Sequence, residues 1–194
     1  MVNKIILASK SKVRKKILEK NGISCLVKPA HIDEDLIKES LLKIGATPDI
    51  ISKNLAELKA NKISQKTNGE IVLGADSVIN LNENIISKPF NREDAMNILK
   101  KLNGKKHELI SSVCISKNGS MIWNYTDKAT LTMKNMNEKD LKFYLEKITD
   151  EALYAYNVYQ IEGEGRTLFS NIEGDEDTIM GLPIKKIKEY LNSI

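Results

Sequence analysis

Apolar and polar positions change period several times along this chain, and the changes divide it into elements. A short apolar run at Ile5–Leu7 meets hydroxyls at Ser9 and Ser11, and helical spacing follows to Leu18 before Asn21-Gly22 stops it in the left-handed manner. SCLVK from Ser24 reads as a second strand ended by Pro29, and His31–Glu34 as an acidic turn. Thr47-Pro48 has the form of a helix start, followed by an apolar stripe at Ile51, Leu55 and Leu58 with Lys59 and Lys62 riding the same helix. From Glu70, EIVLGADSVINL reads as a buried strand with a polar interruption near its end. Ile85-Ile86 leads to Ser87-Lys88-Pro89, and Asn91 caps a helix carrying Ala95, Leu99 and Leu102 before Gly104.

An antiparallel section comes next. ELISSVCIS, the Asn118-Gly119 turn and MIWNY form a hairpin that the alternation Ala129, Leu131, Met133 extends. Asn137 and Asp140 open a helix through Leu145; the chain then becomes loop-rich at Tyr156, Tyr159, Glu162, Gly163 and Gly165. LFSNI, a GLP turn at Gly181 and a closing helix to Leu191 complete it. This order predicts an α/β fold over residues 1–194: a mixed twisted sheet flanked by helices, with an antiparallel meander and space for a cleft.

Composition narrows the class. With 41% hydrophobic and 29% charged residues, and no apolar run near the ~20 residues of a membrane span, the chain is expected to be soluble. Its first residues hold one Lys before a short apolar run, without the long core of a secretory leader, so a cytoplasmic location is expected. Cys25 and Cys114 sit in separate apolar contexts and read as free thiols; with only His31 and His107 beside them, a cysteine nucleophile and a dedicated zinc site are both disfavoured.

The net charge of +4 is concentrated between Lys4 and Lys20, where seven cations face Glu19 alone. Strand, hydroxyl turn, helix start and the cations Arg14 and Lys15 together suit a phosphate chain, because a helix N-terminus offers unpaired N–H groups and a favourable dipole. The plainer alternative is a solvated basic helix with an ordinary serine cap. No GxxxxGK[ST] loop is present, and GEG at Gly163–Gly165 is too short a signal for a dinucleotide loop.

Four stretches taken together, LASKSKVRK, LAELKA around Lys59, LGADSV with SKP at Lys88, and IEGEG with GLP, resemble the Maf family of nucleoside triphosphate pyrophosphatases. The resemblance runs in order through nearly the whole chain. It implies a fold like that of the inosine triphosphate pyrophosphatases, two lobes around a nucleotide cleft. It further implies hydrolysis of a nucleoside triphosphate between its α and β phosphates with a divalent cation, Mg²⁺ or Mn²⁺, in a homodimer with no nucleic-acid or membrane partner. Asp76 matches the family's general base, although such a carboxylate also suits the metal. Glu34 matches a second metal-side carboxylate; Ser9, Ser11, Arg14, Lys59 and Lys88 match phosphate-binding positions; Val13, Ser77 and Glu162 match those that separate substrate classes.

This chain departs from the family pattern in several places. LASxSPRR becomes LASKSKVRK, so Lys12 replaces Pro and Val13 replaces the first Arg, while Ser77 stands for the usual Thr. KAGAYGIQG becomes Ala155-Tyr156-Asn157-Val158-Tyr159-Gln160-Ile161-Glu162-Gly163, losing a lysine and two glycines and gaining a carboxylate. The phosphate machinery is retained and base recognition altered, and the substitution at Glu162 raises 7-methyl-GTP as a substrate. Two rival readings remain: a nucleic-acid or division-regulatory binding protein using the basic first helix, and a nucleotidyltransferase. The local charge and the absence of an RNA-binding aromatic signature speak against the first.

Overall fold

The computed structural model describes residues 4–194, except for the side chains of residues 155 and 156, so the substitutions noted at Ala155 and Tyr156 lie outside the described residues. Its centre is a seven-stranded mixed sheet in which β1 (Lys4–Leu7) pairs parallel with β2 (Ser24–Val27) on one side and with β3 (Val72–Leu81) on the other. From β3 outward the pairing is antiparallel, through β5 (Lys106–Lys117) and β6 (Ser120–Met133) to β7 (Phe169–Glu173). The short β4 (Asn84–Ile86) folds back on the end of β3. Asn118 and Gly119, with φ of 51° and 83°, make the primed turn that joins β5 to β6 without splaying them.

The helices begin where their caps predict. Ser11 opens α1 (Lys12–Lys20) and Asp33 opens α2 (Glu34–Lys43), and Thr47 opens α3 (Pro48–Ser64). Asn91 caps α4 (Arg92–Leu102), Asn137 caps α5 (Glu138–Lys147) and Thr149 caps α6 (Asp150–Tyr156). A short α7 (Glu176–Ile179) precedes α8 (Ile184–Ser193). Among the described residues, no helix is long and apolar enough to cross a membrane.

Two large apolar clusters share the sheet with two smaller ones. Ile5, Leu7, Leu73 and Ile115 pack with Leu18 of α1 and Ile187 of α8, whereas Ile79, Leu109 and Leu131 pack with Leu99 of α4 and Tyr144 of α5. β3 and β5 run through both clusters and hold the lobes together.

Several expectations need correction. His31–Glu34 is not a plain turn, because Asp33 caps α2 there. The loop expected from Tyr156 is preceded by α6, which runs to that residue. On α3, Leu58 is exposed, and the inward face is Ile51, Leu55, Ala56, Lys59, Ala60 and Ile63. Small residues allow that face to approach β3 closely: a Cβ built on Gly74 would fall 2.7 Å from the Ala60 amide nitrogen, so only glycine fits. Lys59 therefore points into the protein and does not ride in solvent.

His107 of β5 is a core residue. It is buried between Tyr159 and Phe169, its Nε2 is hydrogen-bonded to the Tyr159 hydroxyl at 3.0 Å, and burial lowers its pKa to about 4. The unfolded chain takes up a proton near pH 6.5 that the folded chain refuses until about pH 4. Stability is full above that window and falls as pH drops through it. His107→Phe removes the proton acceptor, so the loss of unfolding free energy between pH 7 and pH 5 should shrink by about 2 kcal/mol. Urea denaturation at the two pH values measures it, and equal losses in parent and variant would refute the assignment.

Candidate active site

Strand β3 is paired along its whole length only on the β5 side. On the other side β1 ends opposite Leu73 and β4 begins opposite Ile79, so Gly74–Val78 form an open stretch of sheet edge. Asp76 sits in the middle of this stretch and well inside the strand, not near its end as the sequence suggests. The polar interruption near the end of an apolar run is the gap between two partner strands.

Arg14 closes part of that gap. Its half-buried guanidinium donates from Nη1 to the Ala75 carbonyl at 3.0 Å, in the place a neighbouring strand would occupy, and to Ser9 Oγ at 3.2 Å. Nη2 donates to Ser77 Oγ at 3.1 Å and Nε to the Gly181 carbonyl at 2.9 Å. One side chain thus ties the turn after β1, the exposed edge of β3 and the GLP turn together. Burial lowers its pKa, with Asp76 and Glu34 acting in opposition. Ser111 Oγ donates to the Thr178 carbonyl at 2.7 Å, so the Ser77 hydroxyl donates to Ser111 at 2.7 Å and accepts from Arg14. Ser77 is therefore part of the anchor.

On the opposite face of β3, Lys59 reaches from α3 to donate to Asp76 Oδ1 at 2.7 Å and pairs with Glu34 Oε1 at 2.8 Å. Asp76 and Lys59 are buried, whereas Glu34 keeps 39% side-chain exposure. Asp76 Oδ2 is buried with no hydrogen-bond partner among the described residues. For Glu34, burial acts upward and is outweighed by Lys59, then Lys38 and Lys88, so its pKa lies below the usual carboxylate range. Burial lowers the pKa of the Lys88 amine, with Glu34 opposing. Glu34 and Asp76 offer two carboxylates at the cleft, a donor set that suits a hard cation whose other ligands are phosphate oxygens and water.

All ten anticipated residues line one cleft of about 630 Å³: Ser9, Ser11, Val13, Arg14, Glu34, Lys59, Asp76, Ser77, Lys88 and Glu162. Ser11 Oγ is engaged as the cap of α1, accepting from the Arg14 amide at 3.3 Å. The same cleft is lined by the apolar side chains of Ile79, Ile85, Leu109 and Ile161 and by the ring of Tyr159, surfaces suited to a flat ring. Glu162 stands exposed at its rim and accepts from Gln160 Nε2 at 2.8 Å.

The sequence reading missed three contributors. Lys12 pairs with Glu151 of α6 at 2.8 Å across the mouth, and Lys38 of α2 lines the cleft. Asn157, where the family pattern has glycine, keeps a φ of 68°, and its side-chain amide reaches the Ile86 and Ser87 carbonyls at 3.5 and 3.4 Å. The spacing of Lys38 four residues after Glu34 is the one signal that could have found any of them.

The family model described as "Maf-like protein" matches residues 4–194. The chain belongs to the Maf family. A Maf-family relative from Pelagibacter ubique, named nucleoside triphosphate pyrophosphatase, is 73% identical over the full length of both chains. One of the same name from Roseobacter denitrificans is 38% identical, covering 98% of this chain and 96% of its own. A 7-methyl-GTP pyrophosphatase from Brucella abortus is also 38% identical, over 95% of this chain and 92% of its own. At 38% identity both names occur among these relatives, whereas the 73% identical one is named nucleoside triphosphate pyrophosphatase.

Proposed function

We propose that this protein hydrolyses nucleoside triphosphates between the α and β phosphates, giving a nucleoside monophosphate and pyrophosphate. The observation that carries the reading is Asp76: a buried carboxylate with one oxygen fixed by Lys59 and the other without a partner among the described residues, on an open sheet edge among cations. Lys59 holds Asp76 in one orientation, so Oδ2 is aimed to accept a proton from a water. As that proton moves to Asp76, the water oxygen bonds to the α phosphorus. The bond from that phosphorus to the α–β bridging oxygen breaks, and pyrophosphate leaves with the electron pair. Ser9, the start of α1 and Lys88 face the charge that builds on the leaving group, and such preorganised donors supply most of the rate enhancement in phosphoryl chemistry. Glu34 and Asp76 would hold Mg²⁺, or Mn²⁺ in its place, which when bound neutralises phosphate charge. With this reading go a cytoplasmic homodimer and no nucleic-acid or membrane partner.

Substrate preference follows from Glu162. A carboxylate only accepts hydrogen bonds, and guanine presents two adjacent donors, N1–H and the 2-amino group, with added positive charge in 7-methylguanine. The test is a panel of 7-methyl-GTP, GTP, UTP and dTTP, with monophosphate and pyrophosphate quantified separately and water as the only acceptor. The guanine substrates should lead in kcat/KM, and Glu162→Gln should cut that lead by about 10-fold or more, the cost of one charged hydrogen bond. Pyrimidine preference in the parent, or an unchanged ranking in the variant, would remove Glu162 from base selection. Orthophosphate as the product would overturn the reaction itself.

A further inference from the structure

Helix α2 buries none of its residues, yet one of its long side chains is drawn inward. Lys38 keeps only 17% side-chain exposure and lines the cleft one turn beyond Glu34. Residues four apart share a helix face, so α2 turns Glu34 and Lys38 to the cleft and leaves Leu36 and Leu42 to solvent. A lysine on an exposed helix ordinarily extends its ammonium into water. Here the ammonium lies 3.9 Å from Glu34 Oε2, beyond hydrogen-bond distance, and makes no hydrogen bond among the described residues.

Two other cations of the cleft are differently occupied. Arg14 donates to four protein acceptors, and Lys59 holds two carboxylates. Asp76, Lys59, Glu34 and Lys38 form a row with successive separations of 2.7, 2.8 and 3.9 Å, leading from the proton acceptor out to α2. Resting on the proposed hydrolysis, in which the attacked α phosphorus lies beside Asp76, the β and γ phosphates extend away from that carboxylate. We propose that Lys38 binds the pyrophosphate portion of the substrate and holds it as it departs. The charge of Lys38 also opposes that of Lys88, and an anion between the two relieves this repulsion.

The alternative is that Lys38 only tunes Glu34, and the two roles give different binding patterns. Calorimetric titration of the parent, Lys38→Gln and Lys38→Arg with pyrophosphate and with a nucleoside monophosphate, at fixed ionic strength and Mg²⁺, separates them. Lys38→Gln should weaken pyrophosphate about 10-fold and leave the monophosphate within twofold, and Lys38→Arg should recover most of the loss. In turnover, KM for the triphosphate should rise about 10-fold with kcat within about threefold. Pyrophosphate affinity within twofold of the parent, or an equal loss for the monophosphate, would overturn the proposal, as would a fall in kcat at constant KM. If the parent releases orthophosphate the hydrolase reading fails, while the pyrophosphate titration still decides for or against Lys38.

Discussion

Asp76→Asn should lower kcat about 10³-fold while leaving triphosphate affinity within a few-fold, in keeping with the loss of a general base. Asparagine has the shape of aspartate, and its carbonyl oxygen can still accept from Lys59, which also stays paired with Glu34 at 2.8 Å. The amide group at the position of Oδ2 donates where the carboxylate accepts, so the attacking water keeps its proton. Backbone pairing of the strand with β5, which matches Asp76 to Ser112, is untouched. Rapid-quench measurement of single turnovers, with a thermal melt of the same sample, separates lost chemistry from lost structure. Turnover near that of the parent in a folded variant would sink the assignment of Asp76.

Gly74→Ala should be the most damaging small substitution outside the cleft lining. Its methyl group would meet the Ala56 carbonyl and the Ala60 amide, backbone atoms of α3 that cannot rotate away. Overpacking of this kind costs about 1–3 kcal/mol, and more where backbone must move. At about 2–4 °C per kcal/mol for a chain of this size, Tm should fall by roughly 5–10 °C. Activity should fall further than stability, because α3 carries Lys59 and β3 carries Asp76; separating them by ~1 Å can cost up to ~100-fold in rate. Calorimetry and steady-state kinetics well below Tm measure both. A variant with unchanged Tm would show that α3 yields freely.

Much of this was legible in the sequence because local chemistry and tertiary structure agree. Ser11, Thr47, Asn91 and Asn137 cap the helices they mark, and Asn118-Gly119 turns the hairpin it marks. The failures have physical causes. α2 has no inward apolar stripe to detect, since Leu36, Leu42 and the following Ile44 face solvent. Lys59 reads as a solvated lysine because nothing along the helix reports that Asp76, 17 residues on, sits opposite it. Asp76 reads as a strand end because the break is in the partner strands, which a one-dimensional pattern does not contain. The family motifs gathered residues that line one cleft, but they did not tell that Arg14 is engaged by four protein acceptors.

The two ends of the cleft are built from different materials. The phosphate end is welded: Arg14 joins two turns and a strand, and Lys59 joins a helix to that strand. The other end is built from the stretch from Asn157 to Gly163, which is anchored by Tyr144 on the Val158 carbonyl at 2.9 Å and by Tyr159 on His107 at 3.0 Å. The side chains of Gln160 and Glu162, by contrast, bond to each other, so a change there disturbs neither anchor, whereas a change at Arg14 breaks several ties at once. On the proposed reading of Glu162, a lineage can exchange the base it recognises through a few side chains of that stretch without rebuilding the other end, and two relatives each 38% identical to this chain carry different substrates in their names.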